Sequence, residues 1–187
     1  VFIDKLDWSD IHAQHVLIRD VEQRSAPHYQ WAAATYPSGQ RARALNETAA
    51  DVSWKWDKKA FAWRVSEKSG NEYHVTEICQ EKDRSQKALA VWKQYGATGL
   101  DLVHVTATSR QAFLALLAEL DQISTARGIS EMSTWVTLWQ PLHRWMERAG
   151  FLPAQPITYF GGRSLKPDYD LPTAPSWSLS MLCSDVY

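Results

Sequence analysis

The sequence predicts a mixed α/β domain, a sheet flanked by helices, on three observations. Over residues 73–78 side chains alternate in steps of two, and extended apolar runs follow over 87–95 and 99–106, the signals of strands. A pronounced amphipathic stripe follows over 109–127, the mark of a helix with one apolar face. Met132 to Trp139 then reads as another strand, so that strand, helix and strand form a βαβ unit with an expected right-handed crossover.

Taking the elements in order, Val1-Phe2-Ile3 has the composition of a short strand. The chain opens on Val1 rather than methionine, and the expectation is a longer parent with a partner region upstream. Asp7-Trp8-Ser9-Asp10 supplies helix caps, and Ile11, His15, Ile18 and Val21 recur at roughly helical spacing, which predicts a helix over 9–24. Pro27, Pro37 and Gly39 make 25–40 a connection. Arg41 to Lys59 predicts a second helix, with Leu45, Val52, Trp56 and Phe61 on one face. The chain therefore divides into an N-terminal strand, helix and connection over 1–40 and an α/β domain over 41–187, forming one compact unit overall.

Tyr73, Val75 and Glu77 alternate with His74, Thr76 and Ile78, and the polar turn Glu81-Lys82-Asp83-Arg84 leads to an extended apolar run from Lys87 to Tyr95. This is a hairpin signal. Gly99 to Thr106 predicts a third strand, and Thr108-Ser109-Arg110-Gln111 reads as a capping box for the next helix. Phe113, Leu116, Leu117, Leu120 and Ile123 form that helix's stripe, and Gly128 stands where a C-terminal cap belongs. Pro141 to Ala149 reads as a short helix, and Ile157 to Leu165 and Trp177 to Leu182 as strands. The strand at 99–106 is expected to be central and beside the strand at 132–139, with Phe113, Leu116, Leu117 and Leu120 facing the sheet.

Composition excludes several function classes. Twenty Lys and Arg against 21 Asp and Glu leave a formal charge of −1 without any block of like charges, so the footprint of a nucleic-acid binder is missing. Cys79 and Cys183 lie far apart and outside metal-ligand spacing, which argues against a zinc site or disulfide framework and for a reducing cytoplasm. The sequence has neither an apolar run of about 20 residues nor a signal-peptide pattern, so a soluble, cytoplasmic protein without membrane contact is expected. Ten tryptophans are unusual in 187 residues. Trp54, Trp56 and Trp63 cluster around the second predicted helix and Trp135, Trp139 and Trp145 around the last crossover, suiting either a core or an interaction surface. Such a surface would take a missing upstream half, another copy of the chain, or a flat ligand such as a sugar.

A resemblance to the GNAT superfamily of N-acetyltransferases rests on several segments. Lys58-Lys59-Ala60-Phe61-Ala62-Trp63-Arg64, Asn71-Glu72-Tyr73-His74-Val75, Ala88 to Val105, Thr134-Trp135-Val136, Pro141-Leu142, Ala149-Gly150-Phe151, Tyr159-Phe160-Gly161-Gly162-Arg163 and Trp177-Ser178-Leu179-Ser180 through Ser184-Asp185-Val186-Tyr187 are similar, in order and spacing, to the degenerate second half of bacterial proteins with two GNAT-like halves. Val1 to Ser9 is similar to the strand that enters that half. The resemblance implies a central twisted mixed sheet, acyl-CoA-dependent N- or O-acyl transfer in the parent protein, acetyl-CoA as acyl donor, no metal, and a small-molecule acceptor. It gives this half the acceptor-side cleft.

The chain departs from that pattern at two places. The family's Q/R-x-x-G-x-G/A loop, whose backbone N–H groups meet the coenzyme pyrophosphate, is replaced by Thr106-Ala107-Thr108-Ser109-Arg110-Gln111-Ala112-Phe113, without glycine. Thr108, Ser109 and Arg110 are candidates for a variant anion site, and the alternative is a plain helix cap. The tyrosine that many relatives place about four residues before Gly-Phe, where it protonates the departing thiolate, is Met146 here. Tyr159 is the candidate substitute, and Asp101, His104 and Glu131 are candidate bases. Asp101 and His104 stand three residues apart, which simple alternation puts on opposite strand faces. His12 and His15 share a face of the predicted first helix but have no third ligand with a motif, and no Ser or Cys nucleophile signature is present. A binding or assembly module that kept the fold and lost the chemistry is the alternative function.

Overall fold

The computed structural model describes residues 8–22, 31–36, 40, 41, 44, 52–67, 72–166, 168 and 170–184. The predicted strand at Val1–Ile3 and residues 45–51 of the predicted second helix lie outside them. The elements are β1 (Ser9–Asp20), β2 (Trp31–Ala33), β3 (Val52–Ser53), α1 (Lys58–Ala62) continuing into a π-helical turn (Trp63–Glu67), β4 (His74–Gln80), β5 (Lys87–Tyr95) and β6 (Gly99–Ala107). There follow α2 (Arg110–Ala126), β7 (Glu131–Thr134), α3 (Pro141–Arg148), β8 (Leu152–Gly162), β9 (Trp177–Ser178) and a 3₁₀ turn over Met181–Cys183.

Seven strands form one sheet in the order β2-β4-β5-β6-β7-β1-β8, with β6 at its centre. β6 and β7 are neighbours and parallel, as expected, whereas the other pairs of this sheet are antiparallel. α2 covers one face. Its Phe113, Leu116, Leu117 and Leu120 are fully buried against Ala90, Trp92, Leu100 and Leu102, together with Leu17 from β1. The other face carries a second core, in which Val16, Leu89, Val91 and Val103 meet Trp56, Phe61, Val65, Trp135, Met181 and Leu182. Burying two opposite faces of one sheet is what makes β5 and β6 nearly continuous apolar runs. Gly128 ends α2 at φ +70°, a left-handed conformation that glycine adopts without a side-chain penalty.

The predicted helix over 9–24 is a strand. Ile11, His15, Ile18 and Val21 fit a helical period only because the second half of β1 is covered on both faces. There Val16, Leu17 and Arg19 are all buried, which erases the alternation that marks a one-sided strand. The second predicted helix is also shorter than expected. Val52–Ser53 is extended and pairs in parallel with Trp177–Ser178, and helix is resumed at Lys58, where Asp57 caps by accepting a hydrogen bond from Ala60 N at 2.7 Å. Trp177 to Leu182 is a strand only over its first two residues, and Met181 and Leu182 are buried through a 3₁₀ turn instead. β7 ends at Thr134 rather than Trp139, and β8 begins at Leu152, ahead of the predicted Ile157.

Candidate functional site

The centre of the sheet is shaped by two irregularities of β6. Its antiparallel register with β5 runs Ala90↔Val105 and Val91↔His104, then jumps to Trp92↔Leu102 and Lys93↔Asp101. Val103 is thus an extra residue opposite Val91, a β-bulge, which shifts the side-chain alternation by one. Lys93 and Val91 are two apart and share a face, so their partners Asp101 and His104 share it too. Alternation alone separates these two candidates. The bulge places both on the face away from α2.

The second irregularity concerns β7. It pairs with β6 only from Gly99↔Glu131 to Leu102↔Thr134, and the Thr134 hydroxyl closes the junction by donating to the Leu102 carbonyl at 2.8 Å. Beyond it β6 runs on to Ala107 while the chain after Thr134 leaves the sheet. The departing segment is held by side chains: Gln14 Nε2 and His143 Nδ1 both donate to the Val136 carbonyl, at 3.3 and 2.9 Å. The two central strands therefore part at the level of the bulge.

On the shared face, Asp101 is 5% exposed and accepts a hydrogen bond from Ser133 Oγ at 2.5 Å. Burial pushes its carboxyl above the usual carboxylate range, against the opposing pull of the Ser133 hydrogen bond and the Lys93 ammonium. Its Oδ2, the Tyr73 hydroxyl and Arg64 Nη1 are buried without hydrogen-bond partners among the described residues. Arg64 donates to the carbonyls of Leu182 and Ser184 and stands over the Tyr73 ring. His104 lies further along the strand, its Nδ1 2.9 Å from Ser180 Oγ. Burial lowers its pKa to about 4, although one edge of the residue remains accessible. Ser180, at the head of the final 3₁₀ turn, is itself 3.7 Å from Cys183 Sγ.

Past His104 on the same face comes Thr106, opposite Leu89, and there a small cleft opens. Leu89, Ala88 and Ala44 form its apolar lining, with Arg41, Lys87, Glu77 and Thr108 supplying polar groups. Glu77, 3% exposed, accepts from Arg41 Nε at 2.9 Å, from Arg41 Nη2 at 2.8 Å and from the Tyr36 backbone N–H at 3.1 Å. Sequence reasoning passed over this pair. Glu77 reads as one polar position of an alternating strand, and its partner lies 36 residues upstream.

The remaining candidates are placed elsewhere. Glu131 is exposed and pairs with Gly99, at the opposite end of β6 from the cleft. Tyr159 is 67% exposed on the outer strand β8, three strands from β6 and so about 14 Å away across the sheet. The structure does not bring it together with Asp101 and His104. At the start of α2, the cap is Ser109, whose Oγ accepts from Ala112 N at 3.2 Å. Thr108 does not take part in a capping box: its hydroxyl exchanges hydrogen bonds with the Lys87 backbone, at 2.9 and 3.1 Å. Arg110 is exposed beside this cap. His12 and His15 lie on a strand, not a helix, and His12 packs edge-on against Trp139 with centroids 4.9 Å apart. Among the described residues no three His, Cys, Asp or Glu side chains converge as a metal would require, and no helix is long and apolar enough to cross a membrane. Of the clustered tryptophans, Trp56 and Trp135 are core residues, and Trp54 and Trp63 are each 55% exposed.

This arrangement of a central mixed sheet crossed by one long helix is similar in fold to GCN5-related N-acetyltransferases. The chain is similar to a conserved protein from Enterococcus faecalis V583 described as a probable N-acyltransferase, with a TM-score of 0.62 at 8% identity over 86% of this chain and 41% of that one. It is similar also to GCN5-related N-acetyltransferases from Sphaerobacter thermophilus (TM-score 0.58, 16% identity, 92% of this chain and 57% of the other) and Kribbella flavida (TM-score 0.53, 16% identity, 84% and 60%). These matches cover between 41% and 60% of the other proteins' lengths. At such identities the likeness is one of fold. No family model matches the sequence, and no curated protein does.

Proposed function

We propose that this chain is the acceptor-side half of an acyl-CoA-dependent N- or O-acyltransferase, with the coenzyme held mainly by another part of the parent protein. The observation that supports this reading is the small cleft at Thr106, two residues past His104 on the sheet face to which the bulge turns both candidate bases. The start of α2 does not fit the coenzyme's pyrophosphate. That group needs several converging N–H donors at a helix N-terminus, and here Ser109 occupies the Ala112 N–H while the Ala107–Gln111 turn has no glycine to let the backbone approach.

The chain's own residues suit the acceptor. His104 is neutral above about pH 4, so its imidazole has capacity for the proton that an attacking amine or hydroxyl gives up, and Ser180 fixes the ring's orientation. Burial acts oppositely on Asp101, raising the basicity of its carboxylate, so it is the second candidate to take that proton. The second reading, a binding or assembly module without chemistry, is favoured by the same closed cap at Ser109.

Acceptor-dependent thiol release from acetyl-CoA by the full-length protein distinguishes the two. Release that falls at least about tenfold in His104→Gln, with the fold intact, supports acyl transfer with this residue as base. Undiminished release in the variant removes His104 from that role. No release from a protein that binds the coenzyme leaves the binding module.

A further inference from the structure

We propose that Trp177–Ser180 is a strap across the parting of the central strands, closed in this structure, and that its release admits the acceptor to His104. What is admitted rests on the acyl-transfer reading, whereas the strap stands on its own contacts.

The parting has two lips. One is β6 beyond its bulge, where His104 stands, and the other is the segment that leaves the sheet after Thr134, which carries Trp139 and Gln140. The final segment is bonded to both. Trp139 Nε1 donates to the Trp177 carbonyl at 2.8 Å and Gln140 Nε2 donates to Ser178 Oγ at 2.7 Å, while Ser180 Oγ lies 2.9 Å from His104 Nδ1. From Trp177 to Ser180 the chain reaches at most about 10 Å, and within that length it passes from one lip to the other, on the face that carries both candidate bases.

The two ends of the strap are held differently. Met181 and Leu182, 1% and 2% exposed, are part of the second core, and Arg64 donates to the carbonyls of Leu182 and Ser184. That end is fixed. Ahead of it Trp177, Ser178 and Leu179 are only half-buried, and among the described residues the segment pairs as a strand with the two residues of β3 alone. Its bonds to the lips are made through side chains, not through a backbone ladder, so they are given up without breaking the central sheet. Trp177 adds an edge contact with the Phe160 ring, centroids 5.2 Å apart. Gln140 stands at the N-cap of α3 yet makes no side-chain capping bond there, which leaves its amide to the strap. The geometry therefore gives a latch at Trp139 and Gln140 and a hinge at Ser180, where extended backbone (φ −143°, ψ 168°) turns into the 3₁₀ turn. Element ends of this kind absorb the backbone rotation of a lid.

The latch carries its own reporter. The Trp139 indole N–H is buried in the bond to Trp177, and the Trp92 indole N–H, bonded to Thr76 Oγ1 at 2.8 Å on the α2 face, serves as the reference. Hydrogen exchange of both is followed by NMR in the purified chain. In the wild type the Trp139 proton is expected to exchange at least about tenfold faster than that of Trp92, because the strap opens without unfolding the sheet. Gln140→Leu on the lip and Ser178→Ala on the strap, made separately, should each speed Trp139 about tenfold and leave Trp92 unchanged. Equal rates in the wild type, which needs no variant to fold, overturn the strap. So does a Trp139 rate that stays constant in both variants or rises only together with that of Trp92.

Acceptor-dependent thiol release from acetyl-CoA is measured on the full-length protein in parallel. If only the open form takes the acceptor, kcat/KM rises with the open fraction, by up to about tenfold in Gln140→Leu. Equal kcat/KM in wild type and variant, with faster Trp139 exchange, overturns the strap's role in admission. Absence of thiol release from both, with the exchange effect intact, removes the acyl-transfer reading and leaves the strap.

Discussion

His104 Nδ1 and Ser180 Oγ meet at 2.9 Å across 76 residues of sequence, tying the final 3₁₀ turn to the central strand just beyond its bulge. The contact is made by a neutral ring, because burial disfavours the imidazolium.

That protonation state has a pH signature. The folded-state pKa of about 4 is below the unfolded value of about 6.5, so the unfolded chain binds more protons between the two, and stability rises with pH across that window. The stabilisation is complete above about pH 6.5 and is lost as pH falls toward 4, by an amount on the order of 2 kcal/mol given the accessible edge of the residue. Urea denaturation of wild type and His104→Gln at pH 7.5 and pH 5 isolates this share. A pH-dependence equally steep in the variant would assign the loss to other groups.

Asp101 titrates with the opposite sign. Its folded pKa is raised by burial, so its contribution favours folding below the unfolded carboxyl pKa and is lost as pH rises through the folded value. At neutral pH the buried charge opposes folding, and Asp101→Asn should leave stability unchanged or raise it by about 1 kcal/mol. A loss beyond about 2 kcal/mol in chemical denaturation would show that the bonds to Ser133 and the attraction to Lys93 outweigh desolvation.

Leu117 is fully buried between α2 and the sheet. Leu117→Ala should cost about 2–5 kcal/mol, read as a lower urea midpoint at constant slope. A negligible change would place the helix's apolar stripe elsewhere.

Ser109 holds the start of α2, and Ser109→Ala should cost about 1 kcal/mol in the same measurement. The closed cap also predicts that the isolated chain binds acetyl-CoA with a dissociation constant weaker than roughly 1 mM. Calorimetry decides this: micromolar binding that disappears in Arg110→Ala would restore a coenzyme site at the α2 N-terminus.

The hairpin β4–β5, strand β6 and helix α2 were legible because their signals are local: an alternation, a polar turn, a stripe of leucines, Ser109 before it and Gly128 after it. β1 was not legible. A strand inserted between β7 and β8 has buried residues on both faces, and the spacing of Ile11, His15 and Ile18 then mimics a helix. The Trp177–Leu182 segment misled for the reverse reason, since its apolar residues are buried by a turn rather than by pairing. Asp101 and His104 could be named as candidates from residue type, but their common face depends on Val103 bulging opposite Val91, a property of two strands together. The Arg41–Glu77 clasp likewise joins a helical residue to a strand 36 residues further on and has no local pattern.

The position of β1 also orders the assembly of the molecule in time. Its Arg19 forms an ion pair with Asp121 and its Gln14 holds Val136, partners 102 and 122 residues downstream, and its outer neighbour β8 comes later still. Closing such loops costs entropy before contacts reward it. On a ribosome, β1 must therefore wait, unpaired, until β7 and β8 have emerged.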